Sequence, residues 1–142
     1  MILLDANLLL YAHHPLYRQH DRARTWLNEQ LASGTRVGLS WPSILAFLRI
    51  STNPRAFREA QPISVMWQVV RAWLANDDVW IPEPTDRHAE MLGDTLLKGN
   101  LTAKLVPDAH LAVLAMEHGL VLCSSDGDFA RFPKLRWFNP LE

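Results

Sequence analysis

Residues 106–129, VPDAHLAVLAMEHGLVLCSSDGDF, decide the fold. Pro107 and Asp108 open a helix that runs through Ala109, Leu111, Ala112, Leu114, Ala115 and Met116, and Gly119 is its expected cap. Leu120–Cys123 follows as an apolar run too short for a helix, which reads as a strand buried on both faces. Working outward, Ile2–Leu4 is a run of the same kind at the start of the chain. Between Tyr17 and Ala32, Ala23, Trp26, Leu27 and Leu31 recur at helical spacing, and Gly34 supplies a stop. Val37–Leu39 reads as a second strand, and Pro42 leads into a helix carrying Ile44, Leu45, Phe47 and Leu48 that Pro54 ends. A further helix starts near Pro62, with Ile63, Met66, Trp67, Val70, Trp73 and Leu74 on one apolar face. Val79–Ile81 is a short strand, Thr85 the N-cap of a helix closed by Gly99, and Arg136–Phe138 a last strand. Strands alternating with helices predict an α/β domain, a mainly parallel central sheet with helices on both faces, built as one domain over residues 1–142.

Composition narrows the function. No apolar run approaches the roughly 20 residues of a membrane helix, so no membrane association is expected. The opening MILLD has no basic segment before its apolar stretch and no small-residue cleavage site, so no signal peptide is expected. Cys123 is the single cysteine, which excludes an internal disulfide and a zinc site built on several thiolates, and fits a cytoplasmic setting. The net charge of -1 is not that of a protein that binds nucleic acid indiscriminately. Its distribution is uneven: residues 1–71 carry 8 Lys and Arg against 4 Asp and Glu, and residues 72–142 carry 6 against 11. A basic half beside an acidic half suits a polyanionic substrate and a bound cation.

The acidic side chains converge. In an open α/β sheet, ligands bind beyond the carboxyl ends of the strands. Asp5 follows the first strand directly, Asp126 and Asp128 follow Leu120–Cys123 closely, and Asp108 arrives at the same edge because its helix runs antiparallel to the strand it feeds. Carboxylates gathered without basic partners repel one another unless some are protonated or a cation joins them. Mg²⁺, an oxygen-seeking ion bound through a few carboxylates plus a substrate phosphate, is the natural occupant, and phosphodiester hydrolysis the natural reaction. Each aspartate also has an ordinary alternative: Asp5 and Asp108 as helix caps, Asp126 and Asp128 as turn residues around Gly127.

The stretches ILLDANLLLYA (residues 2–12) and VPDAHLAVLAMEHGLVLCSSDGDF, in this order and at this separation, resemble PIN domains of the VapC toxin type over essentially the whole chain. The resemblance implies a PIN-like fold and a Mg²⁺-dependent endoribonuclease, with Mn²⁺ able to substitute. It implies the toxin of a type II toxin–antitoxin pair, acting on transfer or ribosomal RNA, neutralised by a VapB-like antitoxin and forming a homodimer. By motif match it makes Asp5, Asp108 and Asp126 the catalytic metal-site residues, with Asp128 a further ligand and Asn7 a polar support. One position departs from the pattern. Where such toxins carry a Glu before a Phe-Leu-Arg run, this chain has Ala46, so the alternative is a PIN fold that binds RNA or protein without cutting.

Other features point to substrate. Arg49 and Arg55, at and beyond the end of the Phe47 helix, are candidate phosphate contacts, and Trp41 is a candidate base-stacking residue. Trp26, Trp67 and Trp73 are expected in the core. No His-Glu-x-x-His motif supports zinc, and Ser124 and Ser125 lack the setting of a serine nucleophile.

Overall fold

The computed structural model describes residues 1–142. Five parallel strands form one sheet: β1 Ile2–Leu4, β2 Val37–Gly38, β3 Val79–Trp80, β4 Val121–Cys123 and β5 Trp137–Phe138. The order across the sheet is β3-β2-β1-β4-β5. Six helices connect them: α1 Ala6–His13, α2 His20–Ala32, α3 Trp41–Ser51, α4 Ile63–Leu74, α5 His88–Gly99 and α6 Leu105–His118. The expected strands are all present, and every pair is parallel: α-helices make the crossovers up to β4, and the connection from β4 to β5 runs through the 3₁₀ turn Gly127–Arg131.

Successive strand residues point to opposite faces, and the two cores divide accordingly. Leu4 and Cys123 face the layer of α1 to α4, where Leu8, Leu9, Ile44, Phe47, Met66 and Val70 pack. Leu3 and Leu122 face the other layer, where Ala109, Leu111, Leu114 and Phe129 pack. A strand with both neighbours apolar and both faces covered has no polar position to spare, which explains the unbroken apolar runs in the sequence.

Several boundaries differ from expectation. Asp5 caps α1, as expected of an aspartate before a helix, but the extent of that helix has no apolar period to mark it, because Leu8–Leu10 are all buried. Helix α2 begins at His20 and not Tyr17, whose ring packs on Tyr11 and Phe57 in the preceding turn. Thr85 does not cap α5, which begins at His88; its hydroxyl accepts the Arg87 N–H and its own N–H donates to Glu117. Helix α6 begins at Leu105, so Pro107 and Asp108 lie in its first turn. Trp67, expected in the core, is 39% exposed: α4 buries only the Met66 and Val70 stripe and leaves Ile63, Val65 and Trp67 outside. Trp26 and Trp73 do pack against the core.

Candidate active site

From β1 the chain moves to β2 on one side, and later returns through α6 to β4 on the other side of β1. The gap between outgoing connections is the usual ligand crevice of an open parallel sheet. Here it falls between the carboxyl ends of β1 and β4, where the Asp5 N–H donates to the Cys123 carbonyl at 3.0 Å. Asp5 and Ser124, the residues following the two strands, are therefore neighbours by topology.

Asp5 does serve as the N-cap of α1, its Oδ1 accepting the Ala6 N–H at 2.7 Å. Its Oδ2 accepts the Ser124 hydroxyl at 2.7 Å. Ser124 is fully buried and also accepts two donors, Asn7 Nδ2 at 3.1 Å and the Asp126 N–H at 3.0 Å. It is a hub that fixes Asp5, Asn7 and Asp126 relative to one another. Reading the sequence for a serine nucleophile missed this role; its position immediately after β4 was the available signal.

Asp126 caps the short 3₁₀ turn Gly127–Arg131, with Oδ1 accepting the Asp128 N–H at 2.9 Å. This leaves Oδ2 outward. Carboxylate oxygens of Asp108, Asp126 and Asp128 all lie within 4.8 Å of one another. Asp108 is not a helix cap: α6 starts three residues earlier, and Asp108 Oδ2 is buried with no hydrogen-bond donor. Asn7 Oδ1 is likewise buried without a donor. Burying an oxygen without a donor costs about 1–3 kcal/mol, more when charged, so these atoms are suited to a cation or a water. The donor set is oxygen only, which fits a hard divalent ion and not zinc held by thiolate or imidazole.

The expectation that the carboxylates lack a basic partner is corrected by Lys104. Its Nζ lies 2.6 Å from Asp126 Oδ2, 3.3 Å from Asp128 Oδ2 and 3.7 Å from Asp108 Oδ2. The i, i+4 spacing of Lys104 and Asp108 was the sequence signal. Lys104 sits at the N-terminus of α6, the wrong end of the helix dipole for a cation. The residue before it, Ala103, has φ +54, a left-handed conformation that costs an alanine about 1–2 kcal/mol. The carboxylates account for a lysine at this place.

Protonation preferences follow the crowding. Burial pushes the Asp5 carboxyl above its ordinary value, against the hydrogen bonds from Ser124 and Ala6. Burial also raises Asp108, and Asp126, Asp5 and Asp128 push it the same way against the pull of Lys104. Asp126 goes down: burial works to raise it, but Lys104 and the Asp128 N–H outweigh that. Lys104 is held well above its ordinary value, chiefly by its hydrogen bond to Asp126.

The remaining candidates are dispersed. Trp41 is the first residue of α3, on the carboxyl edge beyond β2, and is 37% exposed. Arg49 lies in the last turn of α3, eight residues and roughly 12 Å along the axis from Trp41. Arg55 lies beyond that helix, its N–H bonded to Asn53. Neither arginine forms an ion pair with the acidic cluster. Ala46 is half-buried on α3 and brings no polar atom to the edge.

The PIN-domain family model matches residues 2–135. A Mycobacterium tuberculosis protein named ribonuclease VapC37 is 39% identical over 140 residues, covering 99% of this chain and 97% of the relative. Ribonuclease VapC33 of the same organism is 37% identical over 141 residues, covering 99% of each. Among solved structures, the VapBC2 complex of Rickettsia felis bound to a promoter DNA fragment matches with TM-score 0.69 at 17% identity, covering 98% of each chain. The M. tuberculosis toxin VapC20, described as cleaving the sarcin-ricin loop, matches with TM-score 0.67 at 17% identity, covering 96% of this chain and 99% of the other. With its all-parallel sheet and its carboxylates at the β1/β4 edge, the chain belongs to the PIN-domain family, among the VapC ribonucleases.

Proposed function

We propose that this protein is a Mg²⁺-dependent endoribonuclease, the toxin of a toxin–antitoxin pair, in which Mn²⁺ can replace Mg²⁺. The observation that carries the reading is the buried Asp108 Oδ2, without a donor, inside a cluster shared with Asp126 and Asp128. Asp108, Asp126 and Asp128 would hold the ion, with Asp5 beside them. Bound there, a divalent ion supplies charge stabilisation to a phosphoryl group and a water of lowered pKa. Asp5, kept in one orientation by Ser124 and the Ala6 N–H, would be the proton acceptor at this edge, beside the carboxylates that would hold the ion. Asn7 and Ser124 position, and do not touch, the reacting atoms.

RNA as substrate is supported by the ribonuclease names of relatives that align end to end with this chain, and transfer or ribosomal RNA is the class proposed. Trp41, partly exposed at the start of α3, would stack on an unpaired base. The exposed Ile63 and Trp67, four residues apart on one side of α4, offer an apolar surface for an antitoxin or a second copy of the chain. No helix is long and apolar enough to cross a membrane, which accords with action in the cytoplasm. The alternative of a PIN fold without chemistry, raised by Ala46, is less favoured, because four aspartates are retained and brought to one edge. Purified protein incubated with total RNA tests the proposal. Cleavage with Mg²⁺ that stops on adding EDTA is expected; intact RNA in both conditions, or cleavage indifferent to EDTA, refutes it.

A further inference from the structure

We infer that Lys104 is a tethered counter-ion that occupies the carboxylate cluster when no metal is bound and that a divalent ion has to displace. The inference rests on the metal-site reading above and adds a competitor to it. Three carboxylates, two from the loop after β4 and one from α6, face a single ammonium at 2.6, 3.3 and 3.7 Å. Asp126 Oδ2, which the cap bond to Oδ1 leaves outward, is the atom Lys104 holds most closely. An ammonium group and a hydrated divalent ion draw on the same oxygens, so the two positively charged occupants exclude each other. Lys104 can leave because it is 62% exposed on a flexible four-carbon stem, whereas Asp108, at 20%, cannot follow it.

The arrangement has a functional consequence. Without metal, Lys104 relieves the repulsion that would open the edge, so the empty site keeps its geometry at the cost of metal affinity. With metal, Lys104 is released at the rim of the crevice, one cation more for an incoming phosphate backbone. The affinity for metal is thereby set below what the carboxylates alone provide.

Calorimetric titration with Mn²⁺, in the absence of RNA, tests this on the wild type, Lys104→Met and Lys104→Arg. Solvent-exposed ion pairs are individually weak, and a network of three predicts that Lys104→Met binds Mn²⁺ about fivefold to tenfold more tightly. Lys104→Arg, which retains the charge, stays within about twofold of the wild type. Equal or weaker binding by Lys104→Met overturns the counter-ion role while leaving the metal site standing, and so does equal tightening in Lys104→Arg. Absence of binding in all three proteins overturns the metal site itself, and the counter-ion role with it. Paramagnetic broadening of carboxylate signals by Mn²⁺ reports the same order of affinities independently of any cleavage.

Discussion

The Ser124 hydroxyl donates to Asp5 Oδ2 at 2.7 Å across 119 positions of sequence, joining the ends of β1 and β4 at the point where the connections part. Ser124 also accepts from Asn7 and the Asp126 N–H. Ser124→Ala therefore strands a buried carboxylate oxygen, an amide and a backbone N–H together.

For that variant we predict a loss of about 2 kcal/mol in stability by chemical denaturation. Mn²⁺ binding should weaken as well, because Asp126 loses the bond that orients its loop. A purely structural serine would lower stability and leave the affinity of the folded fraction unchanged, and that result would remove Ser124 from the site.

His14 gives a pH dependence. It is 8% exposed, bonds Ser51 Oγ at 2.8 Å and stacks on Phe57 with centroids 4.3 Å apart. Burial, with His13 and His20 nearby, lowers its pKa from 6.5 to about 4. The unfolded chain thus binds the proton more readily than the folded one. Stability from this group is complete above pH 6.5 and is lost as pH falls towards 4, by at most about 3 kcal/mol. His13 and His110 are shifted in the same direction, mainly by burial, and add to the trend. Asp5 and Asp108, raised in the fold, act oppositely. Comparison with His14→Gln isolates the histidine: its denaturation midpoint should fall less between pH 6.5 and 4 than that of the wild type. Parallel curves would show that His14 does not titrate as described.

Glu117 lies near the C-terminal end of α6, where a carboxylate opposes the helix dipole, and its side chain is completely buried. It is held by His88 Nδ1 and the Thr85 N–H, each at 2.6 Å, and His88 in turn bonds His110 at 3.0 Å. These contacts fasten the start of α5 to α6, at Glu117 near its C-terminal end and at His110 further back along it. Leaving a buried acceptor without its donor costs about 1–3 kcal/mol, so His88→Ala should lower the melting temperature. RNA cleavage per folded molecule, assayed well below the melting point, should be retained. A thermally unaffected His88→Ala would show that Glu117 finds another partner.

The sheet was legible because buried parallel strands leave a mark in single sequences: Ile2–Leu4 and Leu120–Cys123 are apolar at every position, and short. Helix α1 was legible only through Asp5 as its cap, since Leu8–Leu10 is apolar on consecutive positions and shows no period. Trp67 was misplaced because a periodic stripe says which face is apolar but not how wide a face the sheet covers. The convergence of the aspartates followed from topology alone, and the structure brings Asp108, Asp126 and Asp128 together with Asp5 linked through Ser124. Lys104 escaped notice because an i, i+4 Lys–Asp pair on a helix is ordinarily a solvated surface feature. Its meaning depends on Asp126 and Asp128, which arrive from another segment.

The most direct test is the cleavage of a defined RNA in Mg²⁺ by Asp5→Asn, Asp108→Asn and the double variant, with melting curves on the same samples. Asp108→Asn should be at least as stable as the wild type, since it removes a buried, mutually repelled charge, and Asp5→Asn somewhat less so because Ser124 loses its acceptor. Each single substitution should lower the cleavage rate by roughly a hundredfold or more, and the double should lose far less than the product, because both residues serve one ion. Normal cleavage by a folded Asp108→Asn would contradict the account at its centre.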